Sequence, residues 1–349
     1  MKLEKVFILF LTIIATACAR STENTELDKG PLLGNIAFNL AIPSFENSLK
    51  EFENLEQKLG AFKDDKSEIA LEDLQNSWKK AALSWAKTAP YRFGPIDDLL
   101  IENQFYYFPI DTTKLNLSIS AFNGDPTVMQ SLGSNIQGLG ALEYLLFEKQ
   151  AIDNRNQIVF LHMLARNLVA LSRTVLNEWK EGYGEEFANN KGSELNSSLT
   201  KLTNQWIEVI DYIKGDEIGR PAGKTVGVEK NIYNLQAPYS HISSELIEAK
   251  VFALQQSFVG GDGKGLDDYL NTLDIKLSDN LPMAEKLNLQ METILSNLAS
   301  DKSLATLITS ESKKVDQLYL EALNLSIMFK TDMMGQLGLV TTFSDTDGD

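Results

Sequence analysis

The sequence predicts an all-α protein, because apolar residues recur along it at the spacing of a helix face. Phe45, Leu49, Phe52, Leu55 and Leu59 follow one another at steps of four, three, three and four residues, which places them on one side of a helix. No segment alternates apolar and polar residues for long enough to indicate a β-strand. The fold would then form by burying such stripes against one another. Stripes of the same kind predict further helices at residues 71–85, 158–179, 195–213, 242–258, 266–273, 283–298 and 303–329.

Two stretches rich in glycine, proline and aromatic residues interrupt this pattern, at residues 90–126 and 216–239. Long segments without helical periodicity inside a helical protein are usually functional. Each is followed by a predicted helix, at 136–147 and at 240–258. The repeated order of loop and helix suggests a duplication into two bundle-like halves, roughly 35–152 and 153–349.

The N-terminus has the pattern of a secretory signal. Lys2 and Lys5 supply positive charge, residues 6–14 are apolar, and small residues lead up to Cys18. The apolar run is too short to span a bilayer. We therefore expect residues 1–17 to be a signal peptide that is absent from the mature protein.

Cys18 is the predicted lipid anchor. The preceding Ala15-Thr16-Ala17 resembles the lipobox of bacterial lipoproteins, in which the cysteine carries the lipid. Ala19 follows, without the aspartate that favours retention in the inner membrane, so we expect a cell-envelope lipoprotein of the outer membrane. Residues 18–34 would form a polar tether. The alternative is ordinary secretion with a free thiol.

Composition excludes several classes of function. The net charge of −16 would repel nucleic acid and attract cations or basic partners. One cysteine and two histidines cannot build a disulfide framework, a cysteine-based zinc site or a histidine-rich metal cage. Any chemistry must then depend mainly on carboxylates, hydroxyls and amides.

Glu143 is the most informative polar residue, because it lies in an apolar helix start, Gly138-Leu-Gly-Ala-Leu-Glu143-Tyr-Leu-Leu-Phe147. Burial of a carboxylate costs several kcal/mol unless it is paired or binds a cation. Either a structural ion pair or a functional carboxylate would explain it.

Other polar motifs are weaker. His241 and Glu245 are four residues apart and would share one helix face, either as two metal ligands or as a surface pair with Ser240 as the N-cap. His162 is typical of a helix surface or core edge, and the segment 219–225 lacks the spacing of a phosphate loop. The C-terminal residues 345–349 resemble half a calcium loop or a flexible acidic tail.

At residues 138–147 the chain resembles the imelysin family of bacterial cell-envelope proteins, whose GxHxxE motif is followed by an aromatic residue and two leucines. Further stretches are similar in order along the chain, which extends the resemblance over residues 35–349. They are Trp78 and Trp85 with Tyr91-Arg92-Phe93-Gly94-Pro95, Phe108-Pro109-Ile110-Asp111, Pro238-Tyr239-Ser240, Gly260-Gly261-x-Gly263, and the ending from Thr342.

The resemblance implies two bundle-like halves with a site at their interface. That site would be lined by the motif and by the second-half loop and helix. The family is classed as metallopeptidases and is related to periplasmic components of iron uptake. Gly140 replaces the motif histidine, so the presumed metal ligand is missing and a catalytic zinc would have too few ligands. The ligand-binding candidates are Gly138, Glu143, Arg92, Asp111, Tyr239 and Ser240.

We therefore expect a membrane-anchored, non-catalytic binding protein that is linked to iron or haem acquisition. Iron or another divalent metal would be its cofactor or ligand, and its partner would be an iron- or haem-uptake protein. One alternative is a peptidase, with Glu143 as general base or ligand and with His241 and Glu245 completing the metal site. The other is a scaffold lipoprotein in which Glu143 forms an internal ion pair.

Overall fold

A computed structural model describes residues 28–148, 155–277 and 279–342. These residues are helical with no β-strand, so the all-α prediction is confirmed. The α-helices are α1 (Gly30–Asn35), α2 (Ile42–Phe62), α3 (Glu68–Lys87), α4 (Pro95–Leu99), α5 (Glu102–Phe105), α6 (Thr112–Ala121), α7 (Gly138–Glu143), α8 (Arg155–Glu178), α9 (Gly184–Asn189), α10 (Ser198–Tyr212), α11 (Ser243–Val259), α12 (Leu266–Thr272), α13 (Met283–Leu298), α14 (Leu304–Ser310), α15 (Ser312–Ile327) and α16 (Met334–Leu337).

Several helices continue into a wider, π-helical turn. π-Helical turns are rare in proteins, and those that occur often lie at functional sites. Two of them matter below, since one follows α7 directly and the other follows α10. The π-helical segments are Ile36–Ala41, Tyr144–Glu148, Trp179–Tyr183, Ile213–Gly219 and Met328–Met333.

The long helices bury the stripes that the sequence predicts. α2 packs against both α3 and α8, and α3 also packs against α11. From α11 the packing continues to α13, then to α15 and to α10. The division at residue 152 stays a prediction, and α8, which it assigns to the second half, lies along α2 of the first.

Four tryptophans anchor this core, each less than 2% exposed: Trp78, Trp85, Trp179 and Trp206. Trp85 of α3 stacks on Phe105 with ring centroids 4.0 Å apart. Trp78, also on α3, donates its indole N–H to the carbonyl of Leu139 at 3.0 Å. These two contacts hold α5 and α7 against α3, which places the motif segment over the core.

The fold includes residues that the sequence analysis assigns to the tether, since α1 begins at Gly30. Leu32 and Leu33 of α1 are buried, and Lys29 donates to the carbonyls of Lys191 and Gly192 at 3.1 and 3.0 Å. Residues 29–34 therefore belong to the fold and not to the predicted tether, because apolar residues of α1 join the core. The predicted signal peptide, Cys18 and the acidic C-terminal residues 345–349 lie outside the described residues.

The two interrupting segments are more ordered than the sequence indicates. Residues 90–126 contain α4, α5 and α6, and residues 216–239 begin inside the π-helical turn Ile213–Gly219. The predicted helix at 136–147 is α7 followed by the π-helical turn Tyr144–Glu148. The predicted helix at 303–329 divides into α14 and α15 at Glu311, whose φ of −135° is not helical.

The stretch Asn156–Asn189 has the length and hydropathy of a membrane span. More than half of its most apolar window is buried inside the fold, as in the core helix of a globular protein. We therefore interpret it as a core helix that packs on α2.

Candidate functional site

Two glycines allow a neighbouring segment to lie directly on α7. A Cβ at Gly138, where φ is +68°, would lie 2.5 Å from the carbonyl oxygen of Phe105. A Cβ at Gly140 would lie 2.6 Å from the carbonyl oxygen of Tyr107 and 2.8 Å from Cγ2 of Ile110. The carbonyl of Tyr107 and the side chain of Ile110 thus occupy the space that a side chain at position 140 would need. Position 140 therefore cannot carry a side chain unless this neighbouring segment shifts.

Glu143, at the end of α7, is 1% exposed. Its Oε1 accepts three hydrogen bonds, from the N–H of Tyr239 at 2.9 Å and from the N–H and hydroxyl of Ser240 at 2.8 and 2.9 Å. All three donors are neutral, and no described residue forms an ion pair with Glu143. The internal ion pair of the scaffold hypothesis is therefore wrong, since hydrogen bonds compensate the buried carboxylate instead.

Burial raises the pKa of Glu143 to about 7, although the hydrogen bonds from Ser240 and Tyr239 act in the opposite direction. The carboxyl group is therefore able to gain or lose its proton near neutral pH. Burial also raises the pKa of Tyr239 to about 12, with a further increase from the nearby charge of Glu143. The site accordingly combines a carboxyl group poised to change its charge with tyrosines that stay protonated.

Glu143 lines a cavity of about 320 Å³, which lies between two chain segments, residues 106–112 and residues 231–239. Three donors already use Oε1, so Oε2 is available to a ligand. Aromatic residues and asparagines make up half of the other lining residues. The lining residues are Tyr106, Phe108, Pro109, Ile110, Thr112, Gly140, Glu143, Asn231, Tyr233, Asn234, Leu235, Pro238 and Tyr239.

The structure brings together four of the six predicted ligand-binding residues. Glu143 and Tyr239 line the cavity, Ser240 holds Glu143 in place, and Gly138 lies buried at the start of α7. Asp111 is exposed and caps α6, accepting from the N–H of Lys114 at 2.8 Å.

Arg92 also lies away from this cavity. Its guanidinium stacks over Trp85 at 4.1 Å, donates to Thr88 Oγ1 at 3.1 Å and pairs with Glu102 at 3.3 Å. It lines a second cavity, which shares Tyr106 with the first.

The predicted helical pair of His241 and Glu245 does not form. α11 begins at Ser243, and His241 lies outside it with a φ of +60°. Ser240 is therefore not the N-cap, because its hydroxyl and N–H point to Glu143 instead. His241 and Glu245 are both exposed, and within the described residues no three His, Cys, Asp or Glu side chains converge as metal ligands.

Sequence reasoning overlooked several residues that line the cavity: Tyr106, Asn231, Tyr233 and Asn234. Their signal was the composition of the two interrupting segments, which carry aromatic and turn-forming residues. That composition marks the segments as functional, but it does not distinguish the side chains that face the cavity from their neighbours.

Comparisons with known proteins agree with this architecture. The model of the imelysin family matches residues 41–325. No curated protein matches the chain. An imelysin-like protein from Psychrobacter arcticum 273-4 has a similar fold, with a TM-score of 0.77 and 19% identity over 90% of this chain and 97% of that one.

A second similar structure is an iron-regulated protein A precursor from Parabacteroides distasonis ATCC 8503. Its TM-score is 0.71 at 12% identity, and the match covers 86% of this chain and 92% of that one. At such identities the two structures show a shared fold. Together with the family match over most of its length, this establishes that the chain belongs to the imelysin family.

Proposed function

We propose that this imelysin-family protein is a membrane-anchored binding protein of the cell envelope, linked to iron or haem acquisition, and not a peptidase. The observation that carries the proposal is Glu143, held by three neutral donors on one oxygen at the wall of a 320 Å³ cavity. A buried carboxyl group with one oxygen committed and the other facing a cavity is arranged to receive a positively charged or proton-donating group.

The charge of the site favours a cation. No described cationic side chain pairs with Glu143, and burial keeps its pKa near 7. A ligand that brings positive charge would stabilise the ionised carboxylate and would displace its proton. Binding of such a ligand should therefore release a proton near neutral pH.

We propose iron for two reasons. One is family membership, and the other is a fold neighbour that is described as an iron-regulated protein A precursor. Carboxylate oxygens suit hard cations, and the polar side chains of Asn231 and Asn234 line the same cavity. An iron complex or haem would bring further ligands of its own, which a site with one carboxylate requires.

Two observations argue against hydrolysis. Gly140 stands where the family motif has histidine, and the carbonyl of Tyr107 lies too close for a side chain at that position. Glu143 would then be the only motif residue left to bind a catalytic metal, whereas such a zinc has three protein ligands.

Titration calorimetry on the full chain in detergent tests the proposal, with ferric citrate, ferrous ion, zinc ion and haemin as separate probes. We expect an iron probe or haemin to bind wild-type protein and to release protons, and Glu143→Gln to abolish both effects. Glu248→Gln, at an exposed position of α11, is the matched control and should bind as wild type does. If no probe binds, or if Glu143→Gln binds equally well, the iron proposal is wrong.

Peptidase activity is the second candidate, because a pKa near 7 suits a general base. Cleavage of a denatured protein by the wild type, lost on chelation and in Glu143→Gln, would replace our proposal with this one.

The proposed membrane anchoring has a separate test. Wild-type protein should incorporate labelled fatty acid and fractionate with outer membranes, whereas Cys18→Ser should do neither.

A further inference from the structure

A second cavity, of about 210 Å³, lies on the other side of Tyr106 from the Glu143 cavity. It is bounded by α10, by α11 and by the chain from α3 to α5. The lining residues are Ala89, Arg92, Glu102, Asn103, Tyr106, Gln205, Glu208, Val209, Tyr212, Gln236 and Lys250.

The inner wall of this second cavity is rich in hydrogen-bond donors. Lys250 is 4% exposed, forms an ion pair with Glu217 and donates to Oε1 of Gln236 at 2.5 Å. An ammonium group has three N–H donors, so one of them remains. Arg92 uses three of its five N–H donors on Thr88, Glu102 and the carbonyl of Trp85.

Gln236 is the decisive residue of the inner wall. It is only 6% exposed, and its Oε1 is engaged by Lys250. Among the described residues its Nε2 has no acceptor, although the side chain lines the cavity. This Nε2 group is therefore able to donate to a ligand or to a water molecule in the cavity.

The mouth of the cavity is acidic. Glu208 is exposed there and forms no ion pair with a described residue, while Glu102 pairs only with Arg92. The cavity walls partly enclose this exposed side chain, and that partial desolvation, together with the charges of Glu102, Asp97 and Asp211, raises the pKa of Glu208 to about 7. A positive group at the mouth would relieve this repulsion.

A metal ion does not fit this arrangement. Within the described residues no three His, Cys, Asp or Glu side chains are close enough to hold one. The inner wall also carries two cationic side chains, Arg92 and Lys250, which would repel a metal ion. The site instead combines donors inside with carboxylates at the opening.

We propose that this second cavity binds a small zwitterion of the α-amino acid class. Its carboxylate would accept hydrogen bonds from Lys250, Gln236 and Arg92, and its ammonium group would donate to Glu208 and Glu102. Both ends of such a ligand meet complementary charge, and neither an amine nor an acid alone would satisfy both walls.

The test is calorimetry and thermal unfolding of the full chain with the proteinogenic amino acids, each at millimolar concentration. Matched N-acetyl derivatives and α-amides remove one charge at a time. We expect at least one free amino acid to bind and to raise the Tm, and both of its derivatives to bind about tenfold more weakly or not at all. If no amino acid binds, or if the derivatives bind equally well, the proposal is overturned.

Variants locate the site. Glu208→Gln, at an exposed position, should weaken binding about tenfold without lowering Tm. Gln236→Leu should weaken it as well, and Glu72→Gln, on the exposed surface of α3, should have no effect. Glu143→Gln should not change amino acid binding, which separates this site from the first cavity. Wild-type affinity in Glu208→Gln, or its loss in Glu143→Gln, would overturn the assignment.

Discussion

Ser240 donates twice to one oxygen of Glu143, through its N–H at 2.8 Å and through its hydroxyl at 2.9 Å. The two residues are 97 positions apart in the chain. With the third bond, from the N–H of Tyr239, this pair of contacts joins α7 to the segment that leads into α11. The same contacts hold the carboxyl group at the cavity wall, so stability and site geometry depend on one interaction.

Removal of the serine hydroxyl should therefore weaken the fold. Ser240→Ala leaves the two backbone donors but removes the third, and we expect a loss of about 1–2 kcal/mol in the free energy of unfolding. Urea denaturation measures it. Ser244→Ala is the control one turn away in α11 and should change stability by less than about 0.5 kcal/mol. A double-mutant cycle with Glu143→Gln should reveal coupling, and strict additivity would contradict a direct interaction.

Glu143 should also make stability depend on pH. Its pKa is raised from 4.5 to about 7 in the folded state, so the folded protein holds a proton that the unfolded chain has released. Its contribution is fully present below pH 4.5, decreases as the pH rises towards 7, and is lost above that. The total decrease should be roughly 3 kcal/mol from this group.

The measurement compares urea denaturation of wild-type protein and Glu143→Gln from pH 4 to pH 8. Glutamine cannot ionise, so the difference between the two proteins isolates this residue from other groups such as Glu208. The wild type should lose stability relative to the variant as the pH rises. A constant difference across this range would show that Glu143 does not titrate with a raised pKa.

Restoring the family's histidine should damage this fold. A Cβ at position 140 would lie 2.6 Å from the carbonyl oxygen of Tyr107, and backbone cannot move away as a flexible side chain can. We expect Gly140→Ala to cost about 1–3 kcal/mol and Gly140→His to cost more.

Gly60 is the matched control, because it lies in α2 with no heavy atom within 4 Å of an added Cβ. Gly60→Ala should be neutral or should stabilise by up to about 1 kcal/mol. Thermal unfolding compares the variants. If Gly140→His were as stable as the wild type, residues 104–110 would not be packed on α7 as described.

For the ion pair between Lys250 and Glu217, removal of one charge should cost more stability than removal of both. Both side chains are almost completely buried, at 4% and 1% exposure. Lys250→Met leaves Glu217 uncompensated and should cost about 3–5 kcal/mol. The double variant with Glu217→Leu removes both charges and should recover most of that loss.

An exposed pair provides the comparison. Lys264 and Asp268 lie 3.1 Å apart in solvent, and Lys264→Met should cost less than about 1 kcal/mol. Denaturation of the four proteins tests the expectation. A double variant as unstable as Lys250→Met would mean that packing, and not charge, dominates this position.

Helix positions were readable from the sequence because helices are local. The predicted helix at 283–298 matches α13, and the stripe from Phe45 lies on α2. Interruptions within long stripes were harder to place, as at Glu311, because one residue with a non-helical backbone leaves the apolar spacing unchanged.

The site was partly readable as well. Glu143 attracted attention because a carboxylate in an apolar run must be compensated, and Gly140 because the family motif has histidine there. The kind of compensation was not readable, since the donors come from Tyr239 and Ser240, far along the chain. Ser240 has the sequence context of a helix cap. The backbone at His241 is left-handed, however, and α11 begins only at Ser243.

The sequence by itself therefore determined the all-α class, the helix stripes, the family and the carboxylate that matters. Only the tertiary structure decided that Arg92 and Lys250 line a second cavity, that Tyr106 lines both cavities, and that the carbonyl of Tyr107 lies too close to position 140 for a side chain there. The reason is physical. Hydrophobic periodicity records which face of each helix is buried, whereas contacts between side chains distant in sequence arise only when those faces pack together.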